Sequence, residues 1–268
     1  MHRISGTGLF SGADAHSAPG VFSASGLRQL DEVVRSARLS AGAAASTLLS
    51  LVRTGGDAAR LTAQHCTFDH CGLLLFPSTL DAGLRRLEEL GLSPLPVVPS
   101  TVVRRRLAER HGLDPADCKV HITRLRLALP TGRRHAAVEI FLLPRDGRAY
   151  SPQLERAEVA AGFEQHTAFV VARPSTALLT KLVASWRTEA GLIPEGGGHN
   201  PHEGGPAGST VMYFVREHEH PGARRRFELH CPGDLTSFIA RLPRESAAIR
   251  RAYAAWRPLD PAPLSTAD

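Results

Sequence analysis

The chain has 268 residues, of which 43% are hydrophobic and 22% are charged, an ordinary composition for a globular protein with one large core or two small ones. No apolar run reaches the roughly 18 to 20 positions that a membrane span needs, and the N-terminus lacks the basic and then apolar pattern of a secretory signal. The net charge of +6 comes almost wholly from arginine. We therefore expect a cytoplasmic protein without a membrane contact.

Two short arginine runs occupy residues 104–106 and 224–226. Basic runs can bind the phosphates of nucleic acid, but neither run is interleaved with the aromatic residues that stack on bases. We therefore expect solvated surface and no nucleic-acid partner, and the positive charge favours small anionic partners.

The four cysteines lie in a chain without a secretory signal, so we expect reduced thiols. A weaker alternative is a structural zinc site built from Cys66, Cys71, Cys118 and His121. Neither cysteine pair has the C-x-x-C spacing that is typical of such sites.

The pattern of the chain divides it into five segments. In order, they are a disordered N-terminus (1–22), a helical extension (23–64), a first module (65–150), a second module (151–243), and a C-terminal helix and tail (244–268). The first segment is rich in Gly, Ser and Ala without periodicity, whereas leucine and valine recur at helical spacing in the second. The last segment is a candidate contact for a homodimer.

The first module begins with an apolar strand that carries His70. A helix over residues 80–90 follows, and Gly91 ends it. Residues 119–129 alternate as a strand with one irregularity that predicts a bulge, and residues 136–143 form the last strand. A short strand near residues 95–98 completes the predicted βαβββ order.

The second module repeats this order. Its first strand carries His166, its helix covers residues 177–190 and ends at Gly191, and its last strands cover 209–217 and 225–231. Both helices follow a Pro-Ser-Thr triplet. A repeat of about 95 residues is too long for a solenoid and indicates duplication of a whole module.

The last strand of each module carries a glutamate, Glu139 in the first and Glu228 in the second. Strand alternation places Glu139 on one face with Ala137 and Phe141, while residues 138, 140 and 142 point to the other face. If the two modules face each other, two histidines and two glutamates meet. Such a set predicts a metal site.

This arrangement resembles the vicinal oxygen chelate superfamily, which includes glyoxalase I, methylmalonyl-CoA epimerase, fosfomycin-resistance enzymes and extradiol dioxygenases. The resemblance covers about residues 65–243 and implies an α+β fold in which paired βαβββ modules form a cupped mixed sheet around one divalent metal ion. It implies Fe(II), Zn, Ni, Mn or Co as the cofactor. The implied metal ligands are His70, Glu139, His166 and Glu228.

For function, the resemblance implies isomerase, lyase or epimerase chemistry by metal-assisted proton transfer on a small anionic metabolite that chelates through oxygen. Glu139 and Glu228 are the candidate catalytic bases. One alternative is a non-haem Fe(II) dioxygenase that uses His70, His166 and Glu228, with Glu139 beside the ion. A further alternative is a metal-free resistance protein that binds a drug or metabolite.

A glycine-rich stretch over residues 195–208 predicts a flexible loop that serves as a lid. His199 and His202 in this stretch are candidate catalytic acids or bases. His230 shares a strand face with Glu228 and is expected to line the cavity.

Overall fold

The computed structural model describes residues 20–49, 56–128, 134–217 and 225–255, except for the side chains of 134–136. The helices are α1 (Ala24–Ser40), α2 (Ala45–Leu48), α3 (Asp57–His65), α4 (Leu80–Glu89), α5 (Thr101–His111), α6 (Pro152–Ala161), α7 (Thr176–Glu189), α8 (Thr236–Ile239) and α9 (Ser246–Ala255). The strands are β1 (Thr67–Leu75), β2 (Ser93–Pro94), β3 (Val98–Pro99), β4 (His121–Ala128), β5 (Arg134–Leu142), β6 (His166–Val170), β7 (Leu192–Asn200), β8 (Ser209–Arg216) and β9 (Arg226–Pro232).

In the described part of the chain, nine strands form one mixed sheet in the order β2-β4-β5-β1-β6-β9-β8-β7, with β3 also paired to β4. Strand β1 runs parallel to β5, and β6 runs parallel to β9. The two halves join where β1 and β6 run antiparallel. The second half has the βαβββ order, and the first half has the same order except that two short strands, β2 and β3, replace the second strand and α5 is inserted before β4. The predicted α+β fold with paired modules is confirmed.

The helices of the two modules begin and end in the same way. The side chain of Thr79 accepts a hydrogen bond from the backbone at the start of α4, and Ser175 does so for α7. Gly91 and Gly191 follow the helices with φ of 73° and 63°. The two Pro-Ser-Thr triplets thus supply the helix caps, although the capping residue is shifted by one position between them.

The outer face of the sheet is covered by the helical extension together with the module helices. Helices α1 and α4 pack on the first module, while α2, α3 and α7 pack on the second. Trp186 of α7 donates a 2.9 Å hydrogen bond to Thr62 of α3. Phe22, the last residue of the segment that was expected to be disordered, is buried with residues of α1; residues 1–19 lie outside the described residues.

The inner face of the first module is filled by two helices that the sequence pattern did not predict, α5 and α6. Val103 and Leu107 of α5 pack against Leu74 and Phe141 on the inward side of β1 and β5. Helix α5 then reaches the far edge of the sheet, where Arg105 donates a 2.6 Å hydrogen bond to the carbonyl of Gly197 in β7. The hydroxyl of Thr101 donates to the carbonyl of His199 at 3.1 Å.

Two local predictions require correction. Residues 195–200 belong to β7, because residues 196–200 pair with β8 after a bulge at Glu195, and only the turn after Asn200 is a loop. The predicted irregularity lies in the β4–β5 pair, but the additional residue is Ala137 of β5. Because of this bulge, Ala137 packs with Val138 toward the outer helices and not with Glu139.

No described helix is both long enough and apolar enough to cross a membrane. The C-terminal helix α9 lies close to its predicted position. Trp256, His218 and His220 lie outside the described residues.

Candidate metal centre

The four residues of the predicted metal site come from four adjacent central strands. His70 lies on β1, Glu139 on β5, His166 on β6 and Glu228 on β9, and all four are buried. Each offers one nitrogen or oxygen atom, and these atoms all lie within 4.8 Å of one another. The fold therefore assembles the predicted set on the inner face of the sheet.

The separations between the donor atoms suit one ion. The Nε2 atom of His70 lies 3.2 Å from Nε2 of His166 and 3.3 Å from Oε2 of Glu139. Nε2 of His166 lies 3.3 Å from Oε2 of Glu228. A first-row metal ion at about 2.1 Å from each of two ligands at a right angle holds those ligands about 3 Å apart. The observed spacing matches this value.

Hydrogen bonds fix how the two imidazoles are oriented. Nδ1 of His166 donates to the carbonyl oxygen of Glu164 at 2.8 Å, because a carbonyl only accepts. Nδ1 of His70 lies 2.9 Å from Oδ2 of Asp69 and donates to it in the same way. In both neutral rings Nε2 therefore carries a lone pair, and the two lone pairs face each other. A cation between them relieves this repulsion.

Without a metal ion, a proton on one of the imidazoles relieves part of the repulsion between the two Nε2 lone pairs. Burial alone would lower the pKa of His70, but the carboxylates of Glu139 and Asp69 outweigh it and raise that pKa well above its usual value, against the opposing charge of Arg124. Burial and the charge of His70 lower the pKa of His166 to about 3. Of the two facing Nε2 atoms, only that of His70 therefore carries a proton in the metal-free protein, and this proton lies next to Glu139.

The two glutamates differ in their surroundings. Both carboxylate oxygens of Glu228 are buried without a hydrogen-bond partner among the described residues, and burial raises its pKa to about 7. Oε1 of Glu139 accepts a 3.1 Å hydrogen bond from Nε of Arg124. Burial opposes ionisation of Glu139, but His70 and Arg124 outweigh it and lower its pKa. An unpaired buried carboxylate is costly, and a divalent cation held by this set would satisfy it.

Four further side chains form the partly exposed side of the site: Asp69, Arg124, Glu203 and His230. Their side chains are between 13% and 19% exposed, whereas the four candidate ligands are at most 3% exposed. His230 lies as expected, with Nδ1 3.2 Å from Oδ2 of Asp69. This side is therefore the more exposed side of the site.

The turn after β7 contributes a glutamate to the site where the sequence pattern suggested histidines. His202 is exposed, and His199 lies on β7 at the edge of the sheet. Among the described contacts, no hydrogen bond or ion pair joins either histidine to the four candidate ligands. Glu203 instead reaches Arg124, with Oε1 2.9 Å from Nη2. No periodicity marked this residue in the sequence.

The arginine runs lie on the surface only in part: Arg104 and Arg105 are exposed as expected, whereas Arg106 and Arg226 point into the interior, and Arg224 lies outside the described residues. Arg226 is fully buried and donates from Nε to Glu195 at 2.8 Å, while Arg106 lies 3.4 Å from Glu164. Both guanidinium groups lie over the ring of Tyr213. The acidic partners come from distant parts of the chain, which the local sequence did not indicate. These arginines stabilise the interior beside the site.

The cysteines are free and buried, in agreement with the expectation of reduced thiols. Cys66, Cys71 and Cys118 lie in three different hydrophobic clusters. The alternative of a structural zinc site built from these residues is therefore wrong.

Fold and site together define an α+β protein of two βαβββ modules with a buried group of two histidines and two glutamates that could hold a metal ion. No family model and no curated protein matches the chain. Among solved structures, it is similar to the crystal structure of methylmalonyl-CoA epimerase from Mycobacterium tuberculosis, with 18% identity and a TM-score of 0.31 over 63% of this chain and 90% of that one. A likeness of this size carries no argument about activity, so the functional case rests on the residues themselves.

Proposed function

We propose that the protein is a divalent-metal-dependent enzyme of the vicinal oxygen chelate type. Its ligands would be Nε2 of His70 and His166 and one carboxylate oxygen each from Glu139 and Glu228. The observation that carries this proposal is the pair of buried carboxylate oxygens of Glu228 without a hydrogen-bond partner among the described residues, one of which lies 3.3 Å from Nε2 of His166, a nitrogen that has no proton to give. Buried charges in proteins are paired or coordinate metals.

The reaction that this site supports best is proton transfer on a small metabolite with two adjacent oxygen atoms, as in isomerases, lyases and epimerases. A bound divalent ion supplies Lewis acidity that makes a proton next to a carbonyl easier to remove. The chain itself supplies the base. Glu228 is favoured for this role because no protein donor engages its carboxylate, whereas Arg124 holds Glu139.

Other residues prepare the site for this step. Asp69 and the carbonyl of Glu164 keep the two imidazoles in the orientation that presents Nε2. Phe141 lies against the ring of His166 at 6.1 Å between centroids, and Tyr213 at 5.5 Å. These rings exclude water from the inner side, so a substrate would approach from the side of Arg124 and His230.

Metal content tests the proposal directly. The purified protein should bind close to one equivalent of Zn, Co, Ni, Mn or Fe(II), measured by elemental analysis and calorimetry. Replacing His166 with Ala should abolish binding, while His202→Ala, a change at an exposed histidine, should leave it intact. Full metal occupancy in His166→Ala would contradict the assignment. A wild-type protein that takes up no metal would favour the metal-free binding protein.

One observation favours a second candidate function, a non-haem Fe(II) dioxygenase. Because Arg124 already neutralises Glu139, the three remaining residues match a set of two histidines and one carboxylate, which leaves room for substrate and dioxygen. In that case Glu139→Gln should retain iron, and turnover should consume oxygen. Turnover without oxygen would support the proton-transfer reaction instead.

A further inference from the structure

We propose that Arg124 is the binding site for a carboxylate group of the substrate, and that Glu203 occupies this position in the ligand-free protein. This inference rests on the proposed function, because it names the class of substrate for the same site. The substrate would be a small acid that chelates the metal through two oxygens and carries a further carboxylate beside them.

Arg124 is surrounded by more negative charge than it can neutralise. Its Nη1 atom donates to Asp69 at 3.0 Å, its Nε atom to Glu139 at 3.1 Å and its Nη2 atom to Glu203 at 2.9 Å. One guanidinium thus faces three carboxylates. A guanidinium at such a position is suited to bind a ligand carboxylate through two parallel hydrogen bonds, if one of the present partners leaves.

Two of the three carboxylates are fixed by the fold. Asp69 lies on β1 and also accepts a hydrogen bond from His70, while Glu139 lies on β5 and faces the same imidazole. Neither can leave Arg124 without disturbing the candidate metal ligands. Each of them therefore belongs to the permanent structure of the site.

Glu203 is attached differently. It lies in the turn between β7 and β8, where Gly204, Gly205 and Gly208 have positive φ angles. Its other contacts are long: the backbone amide lies 3.5 Å from the carbonyl of Asn200, Oε2 lies 3.4 Å from the hydroxyl of Ser209, and Oε1 lies 3.9 Å from Nε2 of His230. Glu203 can therefore withdraw from Arg124 by a rearrangement of this turn alone.

The balance of charge also identifies Glu203 as the surplus carboxylate. A divalent ion offsets Glu139 and Glu228, and Arg124 and His230 remain for Asp69 and Glu203; His230 lies closer to Asp69, at 3.2 Å, than to Glu203, at 3.9 Å. Burial and the nearby Glu139 raise the pKa of Glu203 in spite of Arg124. A ligand carboxylate in its place would leave the total charge of the site unchanged.

The distance from Arg124 to the metal ligands defines the size of the substrate. Glu139 alone spans it, since Oε1 accepts from Arg124 and Oε2 lies 3.3 Å from Nε2 of His70. Arg124 is therefore one carboxylate group away from the donor atoms. This spacing favours a ligand that chelates the ion and carries a carboxylate on the carbon next to the chelating oxygens.

Two probes that differ by one carboxylate test this inference. Glycolate and tartronate both chelate through a hydroxyl and a carboxylate, but only tartronate carries a second carboxylate on the same carbon. We would titrate both into the metal-loaded protein by calorimetry and measure its metal content after dialysis. The wild type should bind tartronate more tightly than glycolate. Glu203→Ala should strengthen tartronate binding about tenfold, because the ligand carboxylate no longer competes with Glu203 for a charged hydrogen bond to Arg124.

The controls separate this effect from a general change of charge. Binding of glycolate to Glu203→Ala should stay within about twofold of wild type, and Glu109→Ala, which removes a glutamate whose side chain is 72% exposed, should change neither probe. Equal changes for both probes, or none for tartronate, in a fully metal-loaded protein would overturn the inference and leave the proposed function standing. A protein that takes up no metal would contradict the proposed function itself, and the inference with it.

Discussion

Gly72 of β1 lies directly opposite His166 of β6, and a Cβ atom at position 72 would overlap the imidazole ring of His166. The ring of a candidate ligand in the second module therefore occupies the space that a side chain of the first module would fill. Because the two residues lie where the modules join, the position of His166 depends on both halves of the chain.

Replacing Gly72 with Ala should displace the ring of His166 and weaken metal binding at least about tenfold, since ligands must lie close to their ideal positions. Calorimetric titration with Zn or Co would measure the change. Gly42→Ala is the matched control, because a Cβ atom there meets nothing within 4 Å. An unchanged affinity in Gly72→Ala would show that this ring is not a ligand.

Replacing Glu228 with Gln should stabilise the metal-free protein while weakening metal binding. The buried carboxylate has no hydrogen-bond partner among the described residues, so removing its charge should raise the free energy of unfolding by about 2 kcal/mol. Chemical denaturation with and without metal measures both effects. Glu139→Gln should do the opposite to the metal-free protein, because it takes a charged partner from Arg124. Destabilisation by both changes would contradict this difference.

Asp69→Asn should weaken metal binding by about ten- to a hundredfold, because Asp69 orients His70 through Nδ1. The same change at Asp234, which is fully exposed, should leave the affinity unaltered. A spectroscopic titration with Co(II) reports binding to both variants. Equal affinities for Asp69→Asn and wild type would mean that His70 keeps its orientation without this carboxylate.

The buried thiols give a prediction about pH. Burial raises the pKa values of Cys66 and Cys231 from 9.0 to about 12, and a thiol must ionise to react. At pH 9 the folded protein should have about a thousandth of each thiol ionised, compared with half in the unfolded chain. Alkylation by iodoacetamide at pH 9 should therefore be slow until denaturant is added, as mass spectrometry can show.

The same shift has a consequence for stability. A thiol with a raised pKa contributes its full stabilisation below pH 9, and that contribution is lost as the pH rises from 9 toward 12. Rapid labelling of Cys66 and Cys231 at pH 9 without denaturant would show that the second-module core opens readily.

The helical extension should be required for the stability of the first module. Leu30 of α1 is fully buried against β1 and β5, so Leu30→Ala should lower the free energy of unfolding by about 3 kcal/mol. Leu39→Ala in the same helix is the control, because Leu39 is 80% exposed and its replacement should change the free energy of unfolding little. Equal effects of the two changes on urea denaturation would indicate that α1 does not depend on this packing.

The sequence predicted that four residues would come together in a candidate metal centre, because the positions of His70, Glu139, His166 and Glu228 depend on strand alternation and on the order of a repeated module. Both are local or periodic signals. The helices α4 and α7 were predictable for the same reason, since their caps and final glycines are encoded within a few residues of their ends.

The remaining parts depend on contacts between distant residues. Helix α5 was missed because Arg106 faces inward, where distant residues such as Glu164, 58 residues away, and Glu195 make that orientation favourable. Strand β7 contains three consecutive glycines, which carry no strand signal, yet pairing with β8 holds it in the sheet. Glu203 reaches Arg124 across 79 residues from a turn without periodicity. None of these partners can be identified from a local pattern.

The contacts of α5 with β7 also bear on association between molecules. Strand β7 ends the sheet, and the outward carbonyls of Gly197 and His199 already accept hydrogen bonds from Arg105 and Thr101. An uncovered final strand offers a template on which another chain can add a strand. At this end of the sheet the template is partly blocked by the protein's own side chains, so a second copy that pairs strand to strand would have to displace α5 first.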